Sequence, residues 1–155
     1  MFRVGKAAVL LATLVATGSL NSAQAGPTDQ QIDLSKYRGQ VVYIDFWASW
    51  CGPCKISFPY MQRMVKYFQH DKFVVIAVNV DHERSKADAF LNQVGNTLPI
   101  VYDPEGKISR QYKIREMPSS LLVDKSGNVR YVHQGFFEDK TVQYESHIME
   151  LLNEK

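Results

Sequence analysis

Cysteine is scarce in this chain. There are two in 155 residues, and both fall in the stretch DFWASWCGPCK, at Cys51 and Cys54. Histidine is nearly as sparse: His70, His82, His133 and His147 are scattered without ligand spacing, and each reads as a surface residue. A structural zinc site takes four ligands, so no metal centre is expected. Charge of one sign is missing too, with 18 Lys and Arg against 16 Asp and Glu. No basic block of the kind that tracks phosphate is present, which argues against nucleic acid as a partner. A long hydrophobic run is also lacking. The best one, residues 7–20, spans about fourteen positions diluted by Thr13, Thr17, Gly18 and Ser19, whereas a bilayer span needs roughly 20.

That short run has a different explanation. Arg3 and Lys6 precede it and Ala23-Gln24-Ala25 follows it, the order of a secretory signal cut after Ala25. An uncleaved anchor is the rival reading, and it would be the chain's only membrane attachment. No cysteine follows the run, so a lipoprotein anchor is excluded. Residues 1–25 hold two basic and no acidic residues, so the mature chain would carry 16 of each sign. Export to the bacterial periplasm is the expected localisation.

The full chain is about 45% apolar with eight Phe and eight Tyr, enough for the core of one domain. Residues 26–31 read as a flexible lead-in. VVYIDFWA (41–48) and KFVVIAVNVD (72–81) are β-branched and aromatic runs that predict buried strands. Ile56, Met61, Val65 and Phe68 recur at helical spacing and predict a helix over 54–68. Ala87, Phe90, Leu91 and Val94 predict a second over 85–94. A short strand is expected at 98–103 and a helical turn at 106–112. SSLLVDKSGNVRYVHQG (119–135) predicts a hairpin, and a last helix over 139–152 should bury Val142, Ile148, Leu151 and Leu152. Alternating strands and helices with a closing hairpin imply an α/β fold, a central mixed sheet flanked by helices.

In such a sheet, chemistry gathers where strands end and helices begin. Cys51 stands there. Unpaired N–H groups and the positive end of a helix dipole stabilise a thiolate, so Cys51 should titrate below the ~8.5 of a free cysteine and act as the attacking sulfur. Cys54, one turn on, can reach back to resolve a mixed disulfide. Gly52 permits the tight turn, and Pro53 suits a first helical turn, where its missing N–H costs nothing. A structural cross-link is the serious rival, because exported proteins use them. So short a loop constrains the unfolded chain little, however, and a cross-link has no use for a helix N-terminus. Asp45 is the next candidate. It interrupts an apolar strand where a buried carboxylate is costly, which should raise its pKa and make it a proton acceptor for Cys54.

DFWASWCGPCK resembles the active-site segment of the thioredoxin superfamily, and the likeness extends over residues 32–152. MPSS, Met117 to Ser120, is similar to the loop holding that family's cis-proline. The resemblance makes Pro118 the proline that faces the cysteines and shapes the peptide groove, and puts Gly135 beside that groove. Pro59 matches the proline that kinks the active-site helix. Asp45 matches the family's buried aspartate, but the lysine that accompanies it aligns with Ala77, leaving Asp81 or Glu83 to supply polarity. Trp50 is expected to line the docking surface and Trp47 to pack under the helix. Met117 should abut the cysteines without donating a strong hydrogen bond.

Cys51 and Pro118 lie 118 − 51 = 67 positions apart, and the extra segment between them, with CKISFP, VNVD and LLVDKSGNV, is similar to the TlpA/ResA-like branch of exported disulfide reductases. The resemblance implies residues 32–155 as one thioredoxin-like domain with a short α/β insert. It also implies a reductase of cysteine-containing client proteins, apocytochromes c among them, fed by a membrane electron donor. The dithiol would be the redox centre, with no further cofactor. A disulfide oxidase or isomerase and a non-catalytic metal- or partner-binding module are the other readings. A thiol peroxidase would need a Pro-x-x-x-Thr-x-x-Cys pocket that FWASWC does not supply.

Overall fold

The computed structural model describes residues 32–155. The expected signal segment and lead-in lie outside the described residues. After a 3-10 turn at Leu34–Tyr37 the elements are β1 (Val41–Trp47), α1 (Cys54–Tyr67), β2 (Phe73–Asn79), α2 (Arg84–Val94), β3 (Ile100–Tyr102), α3 (Lys107–Gln111), β4 (Ser119–Val123), β5 (Val129–Gln134), a 3-10 turn at Glu138–Lys140, and α4 (Thr141–Asn153). Among the described residues no helix is long and apolar enough to cross a membrane.

The sheet order is β3-β2-β1-β4-β5. β1, β2 and β3 run parallel, and β4 and β5 run antiparallel on the other side of β1. Every residue of β1 is buried, because helices cover both faces and an alternating strand would leave polar groups dry. Tyr43 and Trp47 point to one face, which packs against α1, α2 and α4. Val42, Ile44 and Phe46 point to the other, under Ile108 of α3. This is the thioredoxin-like arrangement that the resemblance implies. α2, β3 and α3 make up the insert between the active-site helix and the Met117-Pro118 loop.

Trp47 is fully buried. Its indole meets Phe58 edge-on at 4.9 Å and Phe90 at 4.9 Å, a packing favoured by ring quadrupoles beyond the area buried. Trp47 therefore anchors α1 and α2 to the end of β1. The helical faces differ from the expected ones. Ile56 is 48% and Val65 36% exposed, and the inward residues of α1 are Cys54, Phe58, Tyr60, Met61 and Met64. Anchoring at Cys54 and Phe58 rotates the buried stripe by about a residue from the one periodicity picks out. In α4, Val142 is 76% exposed and Leu152 only half-buried. Tyr144, Ile148 and Leu151 fill the i, i+4, i+7 stripe instead, because the chain enters through a separate 3-10 turn and α4 starts at Thr141.

Candidate active site

The chain leaves β1 at Trp47, turns through Ala48 to Pro53 and enters α1 at Cys54. Cys51 and Cys54 form a disulfide at that entry. The Cys54 backbone N–H, free because it opens the helix, donates to Cys51 Sγ at 3.2 Å. That is the helix N-terminus acting on the first sulfur. Cys54 is wholly buried, while Cys51 keeps 3% of its surface. Gly52 and Pro53 are exposed. Trp50 stands beside them at 70% exposure.

The turn before Cys51 is held by a carboxylate. Asp81 accepts from the Ser49 N–H at 2.8 Å through Oδ2 and from the Ser49 hydroxyl at 2.8 Å through Oδ1. The Asn79 side-chain amide also donates to Asp81 at 2.7 Å. Asp81 thus spends its polarity on the loop. Glu83 faces outward and pairs with Lys86 at 2.7 Å. Neither stands in for the lysine absent beside Asp45. The sequence signal for this clamp is slight: a buried strand ending in Asn-Val-Asp.

Asp45 is 2% exposed, and its Oδ2 is buried with no hydrogen-bond partner. By alternation it stands between Tyr43 and Trp47 on the α1 face of the sheet. Its β2 neighbour in register is Ala77, and its β4 neighbour is Ser120. Burial alone pushes its carboxyl well above the usual carboxylate range, with no cation to pull it back. Nearby Tyr43 is pushed up as well, first by burial and then by the Asp45 charge.

The Met117-Pro118 peptide bond is cis, and Pro118 is buried. Met117 is half-buried and touches both cores, including the one that holds the two cysteines. The Gly135 N–H donates to the Pro118 carbonyl at 2.8 Å, tying β5's end to that loop. Gly135 has φ +74°, and a Cβ there would come within 2.9 Å of the Phe137 ring. Only glycine fits both demands.

Two histidines depart from expectation. His70 and His82 are exposed, but His133 and His147 are half-buried and joined, His133 Nε2 to His147 Nδ1, at 3.0 Å. They come together because α4 packs across β5.

The Redoxin family profile matches residues 15–148. Thiol-disulfide oxidoreductase ResA of Geobacillus kaustophilus is 31% identical over 110 residues, which make up 71% of this chain and 63% of that protein. The match thus spans between about half and two thirds of the length of the ResA relatives most similar to it. Among solved structures, a candidate thiol:disulfide interchange protein DsbE from Chlorobium tepidum is 42% identical with a TM-score of 0.75, covering 77% of this chain and 85% of that one. The exposed lipoprotein thioredoxin Etrx1 of Streptococcus pneumoniae is 33% identical with a TM-score of 0.62, covering 76% of this chain and 90% of the other. Fold, dithiol and likeness agree: this chain belongs to the Redoxin family, as a TlpA/ResA-like member of the thioredoxin superfamily.

Proposed function

We propose that this chain is an exported thiol–disulfide oxidoreductase that reduces disulfides in client proteins. The observation that carries the reading is the Cys51–Cys54 pair at the entry to α1, with the helix's first free N–H on Cys51 Sγ. The reaction is two exchanges. The Cys51 thiolate attacks a client disulfide, forming a mixed disulfide and releasing one client thiolate. Cys54 loses its proton to Asp45 and attacks Cys51 Sγ, which forms the intramolecular disulfide and releases the second client thiolate. Two electrons pass from dithiol to client, and the client thiolates take up protons. The dithiol supplies the electrons, so no cofactor enters. Trp50, Gly52 and Pro53 offer the exposed docking rim, and Met117, Pro118 and Gly135 form the facing wall.

Export is supported by the basic, apolar and small-residue order of the first 25 positions. In a periplasm the reductant must come from a membrane protein that passes electrons outward, and the family likeness makes apocytochromes c the leading clients. The test is turbidity from insulin reduction, with dithiothreitol recharging the dithiol. A rate well above the dithiothreitol background is expected. A rate equal to it overturns the reading in favour of a docking module.

Asp45 gives a second test. Asp45→Asn should slow the resolving step by roughly 10–100-fold near neutral pH, within the range for general acid–base catalysis, and leave initial attack nearly unchanged. The wild-type rate should climb with pH as the carboxyl ionises, a rise the Asn variant lacks. Stability should move the other way. The folded state holds the Asp45 proton above the pH at which the unfolded chain releases it, so wild-type stability falls as pH rises through that window. Asn does not titrate, so its advantage widens from acid to neutral pH, by several degrees in Tm for about 1 kcal/mol. Resolution by the Asn variant at the wild-type rate across the neutral range would make Asp45 a structural residue.

A further inference from the structure

Ala48, Ser49, Trp50 and Cys51 form a four-residue turn, closed by the Cys51 N–H on the Ala48 carbonyl at 3.1 Å. Its second residue is gripped from outside. Asp81, just past β2, takes the Ser49 N–H on Oδ2 and the Ser49 hydroxyl on Oδ1, both at 2.8 Å. Asp81 is braced in turn. The Asn79 side-chain amide donates to Asp81 Oδ2 at 2.7 Å, and the Asp81 N–H donates to Asn79 Oδ1 at 3.1 Å. Asn79 is wholly buried and Asp81 nearly so. Two main-chain bonds fix this bracket to the sheet: the Val80 N–H to the Trp47 carbonyl at 3.0 Å, and the Asp103 N–H to the Asn79 carbonyl at 2.7 Å. The turn that carries the first cysteine therefore rests on the carboxyl ends of β1, β2 and β3.

We propose that Ser49 and Asp81 are positioning residues for the attacking sulfur: they hold the turn so that Cys51 Sγ stays at the Cys54 N–H once the disulfide has been reduced. This rests on Cys51 as the attacking thiolate, the role proposed above. In the oxidised protein the bond to Cys54 itself keeps the first sulfur at the helix entry. Reduction removes that bond, and the backbone alone must then hold the same geometry. A hydrogen bond weakens steeply as it bends or lengthens, so a turn free to shift takes the thiolate away from its donor. The grip on the second residue also orients the next two. Trp50, at the third position, stands 70% exposed, and Cys51, at the fourth, is turned inward with 3% of its surface left.

A carboxylate suits this task because it accepts from an N–H and an O–H at once, one on each oxygen. Such charge-assisted bonds are roughly twice as strong as neutral ones. Asp81 touches no reacting atom. Its negative charge by itself opposes a thiolate at Cys51, so position and charge push in opposite directions, and the sign of the effect tells them apart. Ser49→Ala keeps the charge and loses one of the two bonds to Ser49. The other charged groups near the turn, Asp45 of β1, Lys55 of α1 and Lys86 of α2, which feels the Asp81 charge, are the same in every variant.

The experiment is alkylation of the reduced protein by iodoacetamide as a function of pH, with peptide mass measurement assigning each adduct to Cys51 or Cys54. Asp81→Ala should raise the Cys51 midpoint by about one pH unit, the lower end of what a hydrogen bond to a charged group is worth. Well below the midpoint the rate should fall about threefold, because the greater nucleophilicity of a more basic sulfur offsets part of the tenfold loss of thiolate. Above the raised midpoint, equilibration with glutathione should show the couple about tenfold harder to reduce, or ~30 mV more negative. Ser49→Ala should move both readouts the same way by less, and Ser49→Thr, which keeps the hydroxyl, should return them to the wild-type values. A lower Tm with midpoint and potential unmoved marks a merely structural bracket and overturns the proposal. A lowered midpoint in Asp81→Ala overturns it too, since Asp81 then acts as a charge. If Asp81→Ala does not fold, Ser49→Ala decides, and a wild-type midpoint there overturns the proposal. Wild-type protein alkylated first at Cys54 overturns the role of Cys51 and the clamp with it, whereas a Cys51-first wild type with unmoved variants overturns the clamp alone.

Discussion

Cys54→Ser protein mixed with insulin should be recovered covalently attached to it, through a disulfide at Cys51. Cys51→Ser protein should form no adduct and show no turnover. The asymmetry follows from the entry to α1. The free Cys54 N–H points at Cys51 Sγ, so the charge of a thiolate is stabilised at Cys51 and nowhere else in the pair. A serine in its place has no accessible anion and cannot attack. Cys54 is wholly buried and meets no client until Cys51 has brought one in. Its thiol then sits one helical turn from the mixed disulfide, where a well-oriented intramolecular group has an effective concentration on the order of 10⁵ M or more. Millimolar external thiol cannot replace that, so the Cys54 variant should lose about a thousandfold or more in turnover. Intact-mass measurement of the quenched mixture reads the outcome. An adduct through Cys54 in the Cys51→Ser protein, with none in the Cys54→Ser protein, would reverse the two roles.

The dithiol and Asp45 are legible in the sequence because each breaks a local pattern: two cysteines within one turn, and an acid inside an apolar strand. The sheet is legible for a similar reason. β1 and β2 are continuous β-branched runs, and Ser126-Gly127-Asn128 marks the hairpin between β4 and β5. Helical faces are harder to read. Val142 matches the period as well as Tyr144 does, and only the 3-10 turn at Glu138–Lys140 decides which points inward. The histidine pair is the hardest. His133 and His147 are polar residues of ordinary surface types, separated by 14 positions. Only the placement of α4 against β5 brings them together. Asp81 is similar: its partner Ser49 is 32 positions away, on a turn whose geometry no periodicity encodes.

The direction of electron flow is decided by what touches the nucleophile. A strong periplasmic oxidant stands near −120 mV and thioredoxin near −270 mV, a gap of about 150 mV, or roughly 7 kcal/mol for two electrons. Oxidants close that gap by stabilising the reduced form, with several donors or positive charge at the thiolate. Cys51 Sγ receives one backbone N–H, from Cys54. A hydrogen bond to a charged group is worth about 1.5–3 kcal/mol, well short of 7. The two residues between the cysteines are Gly52 and Pro53, exposed and without donor side chains, and Met117 adds none from the facing loop. Lys55 is exposed and follows the motif. The couple should therefore lie nearer to −270 mV than to −120 mV. In glutathione poised at about −200 mV a couple at about −270 mV is more than 99% oxidised, since each 29.6 mV is a factor of ten, whereas an oxidase near −120 mV would remain almost wholly reduced. Alkylation of the equilibrated protein followed by mass measurement separates the two. A pair that stays reduced at that poise would make this an oxidase or isomerase and require a second source of thiolate stabilisation at Cys51.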